Sequence, residues 1–169
     1  VNVNPLPVVT ITGTNAICAG GSTTLTANGA NLYLWSTAAN VNSIVVSPIA
    51  NTVYSVSGTS SLGCTGIAAV TTTVYSLPIV SITGTNAICS GQSSTLIANG
   101  ANSYVWSNSA NSNSIVVSPS SNTSYSVVGT NTLGCSNTLT LSVDVQLCTN
   151  LNNTNQEFST INLFPNPNN

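Results

Sequence analysis

The chain is expected to be all-β: two tandem antiparallel β-sandwiches of about six strands each, followed by an extended C-terminal tail. Three observations predict this. A shift of 71 residues lays positions 6–64 over 77–135 with 42 of 59 identical, so the chain is an internal repeat. Short runs rich in Val, Ile, Thr and Tyr recur at regular spacing, separated by Gly, Pro and Asn-Gly breakers. No apolar period of 3.6 residues appears, so no helix is expected.

In the first repeat the strand signals fall at 8–12, 22–27, 32–36, 43–47, 52–58 and 66–75. The breakers between them are Gly13, Gly20-Gly21, Asn28-Gly29, Pro48 and Leu62-Gly63. Asn28-Gly29 reads as a hairpin, because a type I′ turn needs positive φ at both central residues. The second repeat follows the same plan, with Asn99-Gly100 as its hairpin and a last strand at 138–146 that carries Asp144. Leu139, Leu141, Val143 and Val145 alternate there as a half-buried strand should. The expected organisation is one unit at 1–77, a second at 78–147, and an Asn-rich linker with the start of a further strand at 148–169. Residues 1–6 read as the end of an upstream linker or strand; an ordinary frayed terminus is the competing reading. Pro78 in the Ser76-Leu77-Pro78 link restrains the backbone and predicts a stiff connection.

A strand's period of two places Tyr33 and Trp35 on one face, Leu32 and Leu34 on the other. The second repeat has Ser103 where the first has Leu32, which marks the Leu32 face as the wetter one. Likewise Ser124 stands where Val53 does, leaving Tyr54 and Val56 facing inward. Tyr33, Trp35, Ile44, Val46, Tyr54 and Val56 are the predicted core of the first unit. Trp35, Trp106, Tyr54 and Tyr125 are its aromatic members and their repeat equivalents.

Five cysteines occur: Cys18, Cys64, Cys89, Cys135 and Cys148. With six strands alternating in direction, the loops holding Cys18 and Cys64 lie at one end of the unit and a disulfide between them is geometrically available. The equivalent pair is Cys89 with Cys135. A seventh strand between the two loops would send them to opposite ends, so the pairing depends on the strand count. Two free buried thiols per unit is the competing reading. Closing a loop of about 46 residues contributes roughly 4 kcal/mol in the chain-entropy model, a large share of a small domain's stability. Cys148 has no partner by repeat logic: it is a buried thiol, or pairs with sequence outside the chain, or joins another chain.

Lys, Arg and His are absent and Asp144 and Glu157 are the only acids, giving a formal net charge of −2. General acid–base catalysis and His-activated nucleophiles therefore have almost no material, and the chain reads as a non-enzyme with no cofactor and no metal. Without Lys or Arg there is no counterion release, so nucleic acid is not an expected partner. No stretch approaches the roughly 20 apolar residues of a membrane-spanning helix. Paired cysteines at repeated positions fit an oxidising, extracellular compartment.

The recurrent pattern PxVxITGxxxICxGxSxTLxAxGAxxYxWS…SIVVSPxxNTxYSVxGTxxLGC resembles the immunoglobulin-like or PKD-like tandem repeats of secreted surface proteins of the Bacteroidota, over about 140 residues. The tail INLFPNP is similar to the opening strand of the C-terminal sorting domain of type IX secretion. The many further residues and Gly-rich strands of a whole sorting domain do not follow Pro167. The resemblance implies immunoglobulin-like sandwiches, export across the outer membrane, and a surface or released location as spacers, stalks or adhesive modules.

Two functions from different classes follow. The first is a structural or adhesive surface protein whose partner is itself, by head-to-tail stacking or strand addition, or a neighbouring repeat. Edge strands are normally protected by Lys or other charges, and these have none apart from the local protection of Pro48 and Pro119. The second is a carbohydrate-binding or spacer module of a larger secreted enzyme or adhesin. Sugar stacking needs an exposed aromatic platform, whereas Trp35 and Trp106 sit where a sandwich core takes its aromatic.

Overall fold

The computed structural model describes residues 4–148; the expected linker and sorting-domain-like strand after Cys148 lie outside the described residues. Those described form fourteen strands and no helix. The first seven are β1 (Thr10–Thr12), β2 (Ala16–Cys18), β3 (Thr23–Asn28), β4 (Leu32–Trp35), β5 (Ser43–Val46), β6 (Thr52–Thr59) and β7 (Thr65–Tyr75). The second seven are β8 (Ser81–Thr83), β9 (Ala87–Cys89), β10 (Ser94–Asn99), β11 (Ser103–Trp106), β12 (Ser114–Val117), β13 (Thr123–Thr130) and β14 (Ser136–Gln146). Each seven divides into a three-stranded sheet, β1-β3-β5 or β8-β10-β12, and a four-stranded sheet, β2-β7-β6-β4 or β9-β14-β13-β11. The third and fifth strands of each set share one sheet while the fourth, sixth and seventh share the other. This is the two-sheet arrangement of immunoglobulin-like sandwiches, with the tryptophan on the strand that immunoglobulin nomenclature calls C.

Alternation along each strand builds the core. β3 buries Thr23, Leu25 and Ala27 and turns the residues between them outward. Leu25, Ala27, Trp35, Ile44, Val46, Tyr54 and Val56 form one buried cluster, with Tyr33 packed against it. Leu96, Ala98, Trp106, Ile115, Val117, Val127 and Val143 are central to the other, where Tyr125 is half-buried at the edge. Trp35 and Trp106 are each 2% exposed, and their indole Nε1 groups donate to the Val41 and Ser112 carbonyls at 2.9 Å. A buried indole N–H needs that acceptor, and the loop after β4 or β11 supplies it in both sets. Leu32, by contrast, is 69% exposed.

Two local expectations need correction. Each sandwich has seven strands, because the three residues Ala16–Cys18 form a short strand parallel to β7, with Cys18 opposite Tyr75. Ala87–Cys89 does the same beside β14. Three residues between glycines carry no readable period, and the partner strand is more than 50 residues away, so nothing local announces them. The Asn28-Gly29 and Asn99-Gly100 turns are not hairpins: β3 pairs with β1 and β5, and β4 with β6, so the chain here crosses from one sheet to the other. Gly29 sits at φ 94°, and a Cβ there would lie 1.9 Å from the Val8 carbonyl oxygen. Positive φ and the close backbone approach, not a type I′ hairpin, are what require glycine.

Candidate functional site

The features most out of the ordinary gather where β7 runs into the second sandwich. Because β2 lies parallel to β7 in register, Cys18 is carried to the pole where the chain leaves the first sandwich, the downstream pole. The turn between β13 and β14 lies at the opposite, upstream pole of the second sandwich, and Cys135 closes it. Its shape is set by Asn131, whose Oδ1 accepts from the Leu133 and Cys135 amides at 3.0 Å each. Gly134 takes the positive φ the turn needs. The Nδ2 of the same Asn131 donates to the Ser76 carbonyl at 3.1 Å, and Asn137 Nδ2 donates to Pro78 O at 3.2 Å. The connecting segment is thus held by two side-chain amides of the second sandwich.

Cys18 and Cys135 are joined in a disulfide that spans 117 residues of sequence, with a Cα–Cα distance of 5.6 Å. Cys89 is bridged to Cys148, Cα–Cα 5.3 Å. Cys64 is a free, half-buried thiol whose sulfur lies 4.0 Å from the Asn4 carbonyl oxygen. The expected pairs Cys18–Cys64 and Cys89–Cys135 therefore do not form, and Cys148 is bridged instead of unpaired. The reason is the additional strand. Cys64 precedes the 11-residue β7 and Cys18 lies beside its last residue, so about 35 Å of extended chain separates them. A disulfide needs Cα atoms within about 7 Å. The same argument keeps Cys89 from Cys135 across β14.

The pairing has a rule that the sequence alone did not reveal. The downstream-pole cysteine of one sandwich bonds the upstream-pole cysteine of the next. At the end of the second sandwich no such partner stands among the described residues, and Cys148, two residues past β14, takes its place. The only sequence signal was the Ala-Ile-Cys segment set between breakers in both repeats, together with the dependence of the pairing on strand number.

Elsewhere, a shallow cleft of about 650 Å³ opens on the first sandwich beside the β3–β4 crossing, lined among others by Asn31, Leu32, Leu34, Asn40, Asn42 and Ser57. Its aromatic residue, Tyr33, directs its hydroxyl to Ala30, donating to the carbonyl at 2.8 Å and accepting from the amide at 2.9 Å. Asp144 lies on β14, where its backbone amide donates to Asn86 O at 2.8 Å. No group of three His, Cys, Asp or Glu that could hold a metal ion occurs among the described residues. No helix among them is long and apolar enough to cross a membrane.

No family model and no curated protein matches the sequence. Solved structures of low identity do. Murine CEACAM1b is 12% identical, covering 82% of this chain and 100% of that one, with a TM-score of 0.36. A bacterial ice-binding adhesin, described for its retention on the host cell surface, is 14% identical over 86% of this chain and 67% of that one, TM-score 0.43. The insect immune protein hemolin is 16% identical over 85% of this chain and 47% of that one, TM-score 0.41. At these identities and scores the likenesses carry no argument about activity or partners; the immunoglobulin-like assignment stands on the strand order itself.

Proposed function

We propose that the chain is a structural or adhesive protein of the cell exterior, its tandem sandwiches forming a stiff rod or a self-assembling filament. Residues 1–77 and 78–147 are its two units on this reading. The observation that carries it is the Cys18–Cys135 bridge, which locks the downstream pole of one unit to the upstream pole of the next. Such a bond restrains relative motion between the units, which is what a load-bearing spacer requires. The surface agrees. With no Lys or Arg in the chain and a formal net charge of only −2, colloidal repulsion is weak and no Lys gatekeeper opposes association. β4 is a sheet edge and exposes Leu32 and Leu34, while its counterpart β11 exposes Val105. The resemblance to Bacteroidota surface repeats adds a route, export by type IX secretion, and a non-enzymatic role. Negative-stain micrographs of the concentrated chain test the reading: filaments or chains of beads are expected for self-assembly, which dispersed single particles at every concentration refute, and bent or splayed single particles refute the stiff rod.

A glycan-binding module is the second reading, favoured by the Asn-lined cleft beside Tyr33. Among the described residues both tryptophans are enclosed, and the Tyr33 hydroxyl is taken up by Ala30, which speaks against a stacking platform built on tryptophan. A red-shifted, readily quenched tryptophan emission, or binding to an oligosaccharide array, would favour the sugar reading; the structural reading expects neither.

A further inference from the structure

Cys64 and Cys135 occupy the same repeat position, before the first residue of the longest strand. Cys135 is fully buried and bridged to the cysteine of the sandwich before it, whereas Cys64 is half-buried and free. At the other end of the molecule Cys89 occupies the position of Cys18, and its partner is Cys148. One chain therefore carries both halves of a junction of the internal type: an upstream pole with a free thiol, and a downstream pole whose cysteine is held by a residue from beyond the last strand. A second copy placed head-to-tail would bring its Cys64 to Cys89 as Cys135 is brought to Cys18.

We propose that Cys64 of one copy displaces Cys148 from Cys89 of another, joining copies of this chain head-to-tail by thiol–disulfide exchange. The inference rests on the filament reading above and specifies its junction. The Cys64 thiol gives its proton to solvent and the thiolate attacks Cys89 Sγ. The Cys89–Cys148 bond breaks with its electron pair on the Cys148 sulfur, which takes up a proton, and a Cys64–Cys89 bond forms. One disulfide and one thiol stand on each side of the reaction, so no oxidant is consumed. In the internal junction the equivalent pair of poles meets closely enough for a disulfide. Its two side-chain amide contacts are not reproduced at the free pole, where the shorter Ser60 stands for Asn131 and Gly66, which has no side chain to donate, for Asn137. The link between copies also lacks the mM effective concentration that a short connecting peptide provides. Exchange is consequently favoured at high protein concentration.

The test is mass spectrometry of the full 169-residue chain, incubated concentrated without reductant or oxidant, alkylated, and digested with chymotrypsin because no tryptic site exists. A ladder of oligomers on a non-reducing gel is expected, with Cys64–Cys89 as the linking peptide. The count of alkylatable thiols should stay at one per chain while the label moves from Cys64 to Cys148. In Cys64→Ala the ladder should be lost with circular dichroism unchanged. In Cys148→Ser, where Cys89 is a thiol, it should form only when a disulfide oxidant such as oxidised glutathione is added. Persistent monomers labelled solely at Cys64, a Cys64–Cys64 link, or a ladder that survives Cys64→Ala each overturn the exchange. Filaments made equally well by Cys64→Ala and the parent chain would also overturn it, while leaving the filament reading intact.

Discussion

Cys64 and Cys135 follow the same Leu-Gly dipeptide, close equivalent turns and precede equivalent strands, yet one is an open thiol and the other is fully buried in a bridge. Within the repeats, Ser60 and Gly66 stand where Asn131 and Asn137 contact the connecting segment. What stands in front of the turn differs as well: β7, β2 and Cys18 in the case of Cys135, and residues near Asn4 in the case of Cys64. In a repeat array the chemistry of a residue at a pole belongs to the junction, and equivalent cysteines after the same Leu-Gly dipeptide end in different states. A second contrast lies inside the cores. Thr72 on β7 is fully buried and its hydroxyl has no hydrogen-bond partner, while the second repeat has Val143 at that position, also fully buried. The first sandwich thus carries an uncompensated polar group in a place where its twin is apolar.

The comparison of the two poles is broken most directly by removing the bridge. Cys18→Ala or Cys135→Ala opens a loop of 117 residues, for which the chain-entropy model gives a loss of about 5 kcal/mol. In guanidinium melts the two sandwiches should then unfold in separate steps. Cys64→Ala, at the equivalent position of the first repeat, should cost less than about 1 kcal/mol because no bridge is lost. Equal losses from Cys64→Ala and Cys135→Ala would show that the bridge contributes nothing.

The cores give a sharper symmetry test. Trp35→Ala and Trp106→Ala should each destabilise the molecule by about 3–5 kcal/mol, the range for emptying a buried large aromatic site. Each indole has the same exposure and the same kind of carbonyl acceptor. Denaturant melts in which the two variants differ by more than about 1 kcal/mol would mean that the sandwiches are not energetic equivalents. A modest gain is expected inside the first core. Thr72→Val removes a buried hydroxyl that lacks a partner and copies the second repeat, so stability should rise by about 1 kcal/mol. A loss on calorimetry would indicate that the hydroxyl is satisfied in solution.

Much of the fold was legible because the two repeats comment on each other. Ser103 opposite Leu32 and Ser124 opposite Val53 identified the outward faces, and both Leu32 and Val53 are exposed. Trp35, Ile44, Val46, Tyr54 and Val56 then followed as inward residues from the period of two alone, and all are buried. Leu25 and Ala27, central to the same cluster, follow from the same period along β3 but were not singled out. The Asn-Gly turns were misread because a hairpin and a crossing between sheets both demand positive φ, and the dipeptide does not say where the next strand pairs. The strand count failed at Ala16–Cys18, whose strand character is conferred by β7 and not by its own three residues.

By itself, then, the amino-acid sequence determined what is local and periodic: strands without helix, the inner and outer face of each, two equivalent cores, and a surface without cations. Only the tertiary structure decided which sulfur meets which, because that choice turns on the pole to which each cysteine is carried. The pairing of Ala16 with Thr73 places Cys18 at the downstream end. Sequence spacing holds no record of such long-range contacts, and a disulfide forms only where the folded backbone has already brought two Cα atoms within a few ångströms.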